Sequence, residues 1–279
     1  MSKLNKLMKQ ETLRVVLAQR PIVWTDPEAN LRLMAEDIRT ATEEGAHLVV
    51  FPEVMLTGFN LKVAQSARPW RGPELERLRA LAQEHQIAIA SSAFVWDDEA
   101  QPTHYYNRAY MALPDGSLYA QDKRHLFSMA GEDRLLTPGE GYDIVTYRGW
   151  RIRLITCYDL RFPVWCRNRT HTDGSLDYDL LLVVANWPRP RITAWRTLLQ
   201  ARAIENVAYV IGVNRIGSDP FGTDYSGESL AYDYLGSPLT EANPYADQLL
   251  SATLEPEPLK AFRQKFPVWR DSDSFTLHS

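Results

Sequence analysis

Three residues of this chain have types and positions that could act together on an acyl carbon: Glu53 after HLVVFP, Lys123 in QDKRHLF, and Cys157 after RLIT. A thiol at a strand end is presented by a rigid element, and the N–H groups at the start of the helix that follows favour thiolate and a developing oxyanion. A carboxylate can take the thiol proton, and a fixed ammonium can stabilise the oxyanion. Each residue alone has a plainer account. A free cysteine is commonly core filler, a carboxylate at a strand end a cap, and a lysine a solvated charge. The chemistry rests on the set of base, cation and nucleophile, all expected beyond the carboxyl ends of strands, where layered α/β proteins bind ligands.

The elements that must position them follow from periodicity. Residues 13–19 (LRVVLAQ) read as a strand, and 27–46 as a helix carrying Leu31, Met34, Ile38 and Ala41 on one face. Residues 47–51 are a short strand covered on both faces, 73–85 a second helix and 87–96 a third strand, a β-α-β-α-β rhythm that argues for layered α/β architecture. Pro114-Asp115-Gly116 predicts one hairpin between 106–113 and 117–121, and Arg148-Gly149-Trp150 another between 142–147 and 151–156, which leads to Cys157 and then to a helix with Pro163 in its first turn. Strands are expected at 179–186, 210–213, 229–234 and 248–254, the last two around a Leu235-Gly236 turn, with a helix at 192–208. A helix at 256–266 and an extended tail at 267–279 complete the chain. No repeat or linker interrupts it, so residues 1–279 read as one domain with a core of about 13–255 and a C-terminal helix and tail at 256–279.

Composition narrows the partners. The chain has 279 residues, 45% hydrophobic and 24% charged, with a formal charge of -4 and no basic run to bind nucleic acid. Its two cysteines, Cys157 and Cys166, make neither a disulfide framework nor a zinc spacing, and no metal site is expected. The N-terminal MSKLNKLMKQETLRVV lacks an apolar core for a leader or anchor, and no run approaches a membrane span. A reducing cytoplasm is the expected location.

Three segments resemble a known family. FPE at residues 51–53, DKRHLF at 122–127 and CYDLRFP at 157–163 look like the three catalytic signatures of the nitrilase, or carbon–nitrogen hydrolase, superfamily, in its order. ANWP at 185–188 and ARAIEN at 201–206 are similar to downstream family segments, and KRHLF, CYDLRFPVW and ANWP look most like the bacterial omega-amidase branch. The resemblance implies an α/β fold, a four-layer α-β-β-α sandwich, assembled as a homodimer or higher homo-oligomer. It implies Glu53 as general base, Lys123 as the oxyanion-stabilising cation, Cys157 as nucleophile and the backbone N–H of Tyr158 as a second oxyanion donor. Glu132 matches the second active-site glutamate by its spacing to Leu136-Thr137-Pro138-Gly139, although Asp133 is its neighbour. The implied reaction needs no cofactor: a small-molecule amide, the terminal amide of a 2-oxo dicarboxylic acid monoamide such as 2-oxoglutaramate or 2-oxosuccinamate, is hydrolysed through a thioester. An N-carbamoyl amino acid hydrolase, a nitrilase or another aliphatic amidase are the alternatives within the superfamily. An idle scaffold is disfavoured by the intact set of three, and a Cys157–Cys166 redox pair by their separation.

A small anionic amide needs a cation, and Arg161, Arg189, Arg191 and Arg215 all lie near expected strand ends. Arg161, Asn186, Trp187 and Arg191 are the substrate-binding candidates. Against direct contact, Asp159 and Arg161 are better read as a structural ion pair or a hydrogen-bonded turn. Trp187 serves equally as a strand cap or as an aromatic wall. His125 is read as structural, and Glu205 and Asn206 as packing and hydrogen-bonding residues.

Overall fold

The computed structural model describes residues 10–97, 104–273 and 275–277. Residues 1–9 of the segment read as neither leader nor anchor, and residues 274, 278 and 279 of the tail, lie outside the described residues. In chain order the elements are β1 (Leu13–Gln19), α1 (Pro27–Glu43), β2 (Leu48–Val50), α2 (Val63–Ser66), β3 (Arg68–Pro69), α3 (Pro73–His85), β4 (Ala88–Trp96), β5 (Tyr106–Ala112), β6 (Leu118–Asp122), β7 (Val145–Tyr147), β8 (Trp150–Thr156), α4 (Pro163–Cys166), β9 (Leu180–Ala185), α5 (Ile192–Asn206), β10 (Tyr209–Asn214), β11 (Ile216–Ser218), β12 (Asp224–Ser226), β13 (Leu230–Tyr232), β14 (Gln248–Leu254) and α6 (Pro256–Lys265).

One sheet has the spatial order β14-β1-β2-β4-β5-β6, with β3 beside β4; the other runs β13-β10-β9-β8-β7. β1, β2 and β4 are parallel, as are β8, β9 and β10. Because β5 is antiparallel to β4 and β6 antiparallel to β5, β6 ends on the same edge of the sheet as β2. The Glu53 N–H donates to the Ala185 carbonyl at 3.4 Å, which brings the carboxyl end of β9 to that edge as well.

The layers follow from the period-two alternation of side chains along each strand. Leu13, Val15 and Leu17 of β1 enter a core shared with Leu154 of β8, Leu182 of β9 and Ile211 of β10. Val16 and Ala18 point the other way, onto Leu31, Met34 and Ile38 of α1 and Leu75 and Leu78 of α3. In the second sheet Leu181, Val183 and Val210 face Trp195, Leu199 and Ala203 of α5. The sequence of layers is helix, sheet, sheet, helix, the expected α-β-β-α sandwich.

Local chemistry sets the elements. Asp26 caps α1 by accepting the Ala29 N–H at 2.9 Å, with Pro27 in the first turn, and the buried stripe contains the four residues expected there. The β7–β8 hairpin turns through Arg148 at φ 49° and Gly149 at φ 81°, the two positive angles of a type I′ turn. A Cβ on Gly212 would lie 2.5 Å from Leu199 Cδ1, so glycine is what lets α5 lie against β10.

Two expectations about the C-terminal third are corrected. Residues 229–234 and 248–254 do not pair around Leu235-Gly236: β13 pairs with β10 in one sheet and β14 with β1 in the other. Sheet membership is decided by which core each strand completes, a long-range property, and Ala252 and Leu254 complete the seam between the sheets. The tail is not simply extended, because a 3-10 turn at Val268–Asp271 seats Trp269 against Leu176 and Val207. Burying an indole outweighs the solvation of its polar neighbours.

Candidate active site

Glu53 follows β2 in a turn whose next residue, Val54, has φ 50°, a strained angle for a β-branched side chain. Two buried serines of β4 hold the turn: Ser92 Oγ accepts the Val54 N–H at 2.9 Å, and the Ser91 hydroxyl donates to the Pro52 carbonyl at 2.7 Å. The Glu53 carboxylate is fully buried. Its Oε1 accepts from Asn107 Nδ2 at 2.7 Å and Lys123 Nζ at 3.1 Å, and its Oε2 from the Asn186 N–H at 2.8 Å.

Lys123 stands at the end of β6. Its N–H donates to the Asn107 carbonyl at 2.9 Å and its carbonyl accepts from Gly139 at 2.9 Å. A Cβ on Gly139 would lie 2.4 Å from the Asp122 carbonyl oxygen, so only glycine permits this approach behind the lysine. Glu132 lies in the 3-10 turn Glu132–Arg134, buried, receiving Lys123 Nζ at 3.1 and 2.9 Å and the Phe127 N–H at 2.6 Å. Asp133 beside it is exposed, which distinguishes the two adjacent acids. Asn107 also donates to Glu132 Oε1 at 3.1 Å and so bridges both glutamates. Sequence reading missed Asn107, Ser91 and Ser92. The signal was present, since polar residues inside YNRAYMA and AIASSAFVW are poor strand formers that need a buried partner.

Cys157 itself has φ 45°, left-handed for a residue with a Cβ, at the junction of β8 and the 3-10 turn Cys157–Arg161. Such a conformation costs about 1–2 kcal/mol and persists only where the surroundings enforce it. The Asp159 carboxylate does so, its Oδ2 accepting the Thr156 N–H at 3.2 Å. The Tyr158 N–H, in the first turn, is among the donors a helical turn leaves without an internal partner. The helix expected after Cys157 is shorter than its sequence suggests, a single turn at Pro163–Cys166.

Removal from water raises the Cys157 thiol well above its ordinary pKa, Glu53 raises it further as charge and as hydrogen-bond acceptor, and Lys123 only partly opposes this. These influences favour the thiol form of Cys157 over the thiolate. For Lys123, burial pulls the pKa down but Glu132 and then Glu53 outweigh it, so the ammonium persists.

Glu53, Lys123 and Cys157 form the polar base of a cavity of about 750 Å³. Tyr158, Arg161, Asn186, Trp187 and Arg191 also line it, whereas Glu132 lies behind Lys123. The Asp159–Arg161 ion pair is not formed: Asp159 is occupied by the Thr156 N–H and by His125, and Arg161 lies over the Trp187 ring at 4.8 Å. Arg191 lies over Phe127 at 5.4 Å. Trp187 is both cap and wall, its N–H going to Asn214 Oδ1 at 2.7 Å and its indole to the Arg191 carbonyl at 2.8 Å. The Asn186 side chain donates to the Glu53 carbonyl at 2.8 Å, which makes it a brace for the glutamate. Arg189 lies 3.7 Å from Asp224, and Arg215 is buried over Tyr225; neither lines the cavity. Glu205 and Asn206 bond to Arg202 and Asn168, away from the site. Among the described residues no cluster of His, Cys, Asp and Glu could hold a metal, and no helix is long and apolar enough to cross a membrane.

Residues 14–264 match the family model described as carbon-nitrogen hydrolase. The chain is 42% identical over 266 residues to the omega-amidase YafV of Yersinia enterocolitica, covering 95% of this chain and 99% of that one. It is 29% identical over 262 residues to the 2-oxoglutaramate amidase of Bacillus subtilis, covering 91% and 95%. Among solved structures it matches a CN-hydrolase superfamily protein of Xanthomonas campestris, with an arsenic adduct in the active site, at a TM-score of 0.91 and 38% identity over 96% of this chain and 100% of that one.

Proposed function

The chain belongs to the carbon–nitrogen hydrolase family and is a hydrolase of carbon–nitrogen bonds, and from that premise we propose that it is an omega-amidase acting on 2-oxo dicarboxylic acid monoamides such as 2-oxosuccinamate and 2-oxoglutaramate. The observation that carries the reading is the buried base of the cavity, where Lys123 lies 3.1 Å from Glu53 and 2.9 Å from Glu132 beside the Cys157 thiol.

In the proposed reaction Glu53 takes the Cys157 proton as sulfur attacks the amide carbon. The oxyanion is held by the Lys123 ammonium and the Tyr158 N–H, with Glu132 keeping the lysine in place. Glu53 returns the proton to the departing nitrogen, which leaves as ammonia, and the acyl group remains on sulfur as a thioester. Water, deprotonated by Glu53, attacks the thioester, and the acid departs with the thiol restored. Arg161, backed by Trp187, and Arg191, backed by Phe127, are the proposed partners of the distal carboxylate. Among the described residues neither has a carboxylate of the protein against it, which suits guanidiniums reserved for a ligand.

The test compares ammonia release from 2-oxosuccinamate, glutamine, an N-carbamoyl amino acid and an aliphatic nitrile. The 2-oxo acid amide should show the highest kcat/KM; any other ranking removes the omega-amidase reading while leaving the catalytic set intact.

Three broader proposals accompany it. The chain is one domain, since β14 near its end pairs with β1 near its start. It assembles as a homodimer, as relatives of this fold commonly do through their helical faces, and light scattering at micromolar concentration should give twice the chain mass. It works in the cytoplasm, where the free thiols of Cys157 and Cys166 stay reduced.

A further inference from the structure

The catalytic groups come from different sheets. Glu53 and Lys123 follow β2 and β6 of the seven-stranded sheet, whereas Cys157 follows β8 of the five-stranded one. Their mutual distances therefore depend on what joins the two sheets at this edge. Glu53 is joined to the second sheet through Asn186. The lysine loop has its own junction, made by two residues that are each two positions beyond a catalytic one.

His125 follows Lys123 by two residues and Asp159 follows Cys157 by two. Asp159 Oδ1 accepts both the His125 backbone N–H at 2.8 Å and His125 Nδ1 at 2.9 Å. Its Oδ2 accepts the Thr156 N–H at 3.2 Å, which ties the residue before Cys157 to the residue two after it. A carboxylate can only accept, so the imidazole carries its proton on Nδ1. The His125 ring stacks on Phe162 with centroids 3.7 Å apart and planes 8° apart. Asp159 is almost fully buried, yet three N–H donors satisfy it, and its geometry is shared between the lysine loop and the strained Cys157 turn.

We propose that His125 is a positioning residue: its Nδ1–H bond to Asp159 clasps the lysine loop to the nucleophile turn and sets the separation of the Lys123 ammonium from the carbon attacked by Cys157. His125 does not line the catalytic cavity. It lines a separate one of about 370 Å³ with Phe162, Trp165 and Leu277. Its effect on the reaction therefore travels through Asp159. Loosening the clasp leaves the substrate's distal contacts in place but lets the oxyanion donor and the nucleophile drift, and displacements near 1 Å cost about 100-fold in rate. The signature is a loss in kcat with little change in KM.

Two substitutions separate the hydrogen bond from the packing. His125→Phe keeps a flat ring against Phe162 and removes the donor. His125→Asn places an amide N–H at the Nδ1 position and removes the stack. The assay uses whichever amide of the panel above the enzyme hydrolyses fastest, so its outcome does not depend on the substrate class. His125→Phe should lower kcat by about 10- to 100-fold, the scale of a lost charge-assisted bond, with KM within about 2-fold, and the melting temperature should fall as well because the buried Asp159 carboxylate loses a donor. His125→Asn should recover most of kcat despite a lower melting temperature. Should the Phe variant not fold, His125→Ala against His125→Asn makes the same comparison. Wild-type kcat in His125→Phe, or losses in the variants that track melting temperature rather than the donor, would overturn the proposal.

Discussion

Asn186 and Glu53 hold each other reciprocally across the two sheets: the Asn186 N–H donates to Glu53 Oε2 at 2.8 Å, and the Asn186 side-chain amide donates to the Glu53 carbonyl at 2.8 Å. The first bond orients the carboxylate and the second fixes the backbone that carries it. Together with Asn107 and Lys123 on Oε1, they leave the carboxylate little freedom to rotate. Such rigidity is what a base needs if its orientation is not to be set anew in each catalytic cycle.

Replacing Glu53, the proposed base, separates turnover from thiol reactivity. Glu53→Gln should lower kcat by at least about 100-fold, the usual scale for a positioned base. The thiol should respond in the opposite sense. Glu53 raises the Cys157 pKa by charge and by hydrogen bonding, so its removal lowers that pKa and increases thiolate at a given pH. The pH midpoint of iodoacetamide alkylation at Cys157 should move down in the variant. A midpoint that moves up, or modification mainly at Cys166, would show that Glu53 does not govern this sulfur.

Asn107 tests the bridge between the two glutamates. Asn107→Leu keeps the number and branching of the side-chain heavy atoms but removes the donor shared by Glu53 Oε1 and Glu132 Oε1 at 2.7 and 3.1 Å. Two buried carboxylates then share one lysine with a bond fewer each. A stability loss of about 1–3 kcal/mol in urea denaturation is expected, with kcat reduced by roughly 10-fold or more and KM little changed. Wild-type kcat in a destabilised variant would confine Asn107 to folding.

What was legible in the sequence was local. The stripe Leu31, Met34, Ile38 and Ala41 repeats at helical spacing and is buried on α1, and α3 occupies the residues its pattern marks. Glu53, Lys123 and Cys157 stood out because each follows a readable strand within a distinctive short segment. Asn107 did not, because its meaning depends on Glu53, 54 residues away. The same holds for Asp159, whose nearest cation in sequence, Arg161, is not its partner. Arg161 finds the Trp187 ring, and Asp159 finds His125, 34 residues distant. Trp269 was hidden by polar neighbours that favour an extended tail, while its socket of Leu176 and Val207 is assembled only by the fold.

Buried thiols make stability fall in mild alkali. Burial pushes Cys166 up to about 12, despite the opposing charges of Arg202 and Arg153. An unfolded thiol titrates near ~8.5. Between those values the unfolded chain releases a proton that the folded chain keeps, so stability declines as pH rises, by about 1.4 kcal/mol per unit for each such group. Urea midpoints between about pH 8 and 10 should show Cys166→Ala less stable at neutral pH through its cavity, but with a shallower decline. Parallel slopes in the variant and wild type would mean that Cys166 does not stay protonated in the fold.

In the proposed function the arginines of the cavity wall bind the distal carboxylate. Arg161 lies on the Trp187 face, and Arg191 lies over Phe127. An arginine braced on an aromatic ring presents a planar fork that can bond both oxygens of a carboxylate, whereas lysine offers one point charge and loses the stack. A bond from Arg161 to the distal carboxylate, as proposed, would hold equally before and during the reaction, so removing it would weaken substrate and transition state alike. Arg161→Lys should therefore raise KM for 2-oxosuccinamate by about 10-fold or more and leave kcat nearly unchanged. Arg161→Met should raise KM further and narrow the preference for this substrate over an uncharged aliphatic amide, because the cation that distinguishes them is gone. Steady-state kinetics on both amides with both variants, and with Arg191→Lys beside them, measures the share of each arginine. A loss confined to kcat in the Arg161 variants would place that guanidinium at the reacting carbon and remove it from the carboxylate subsite.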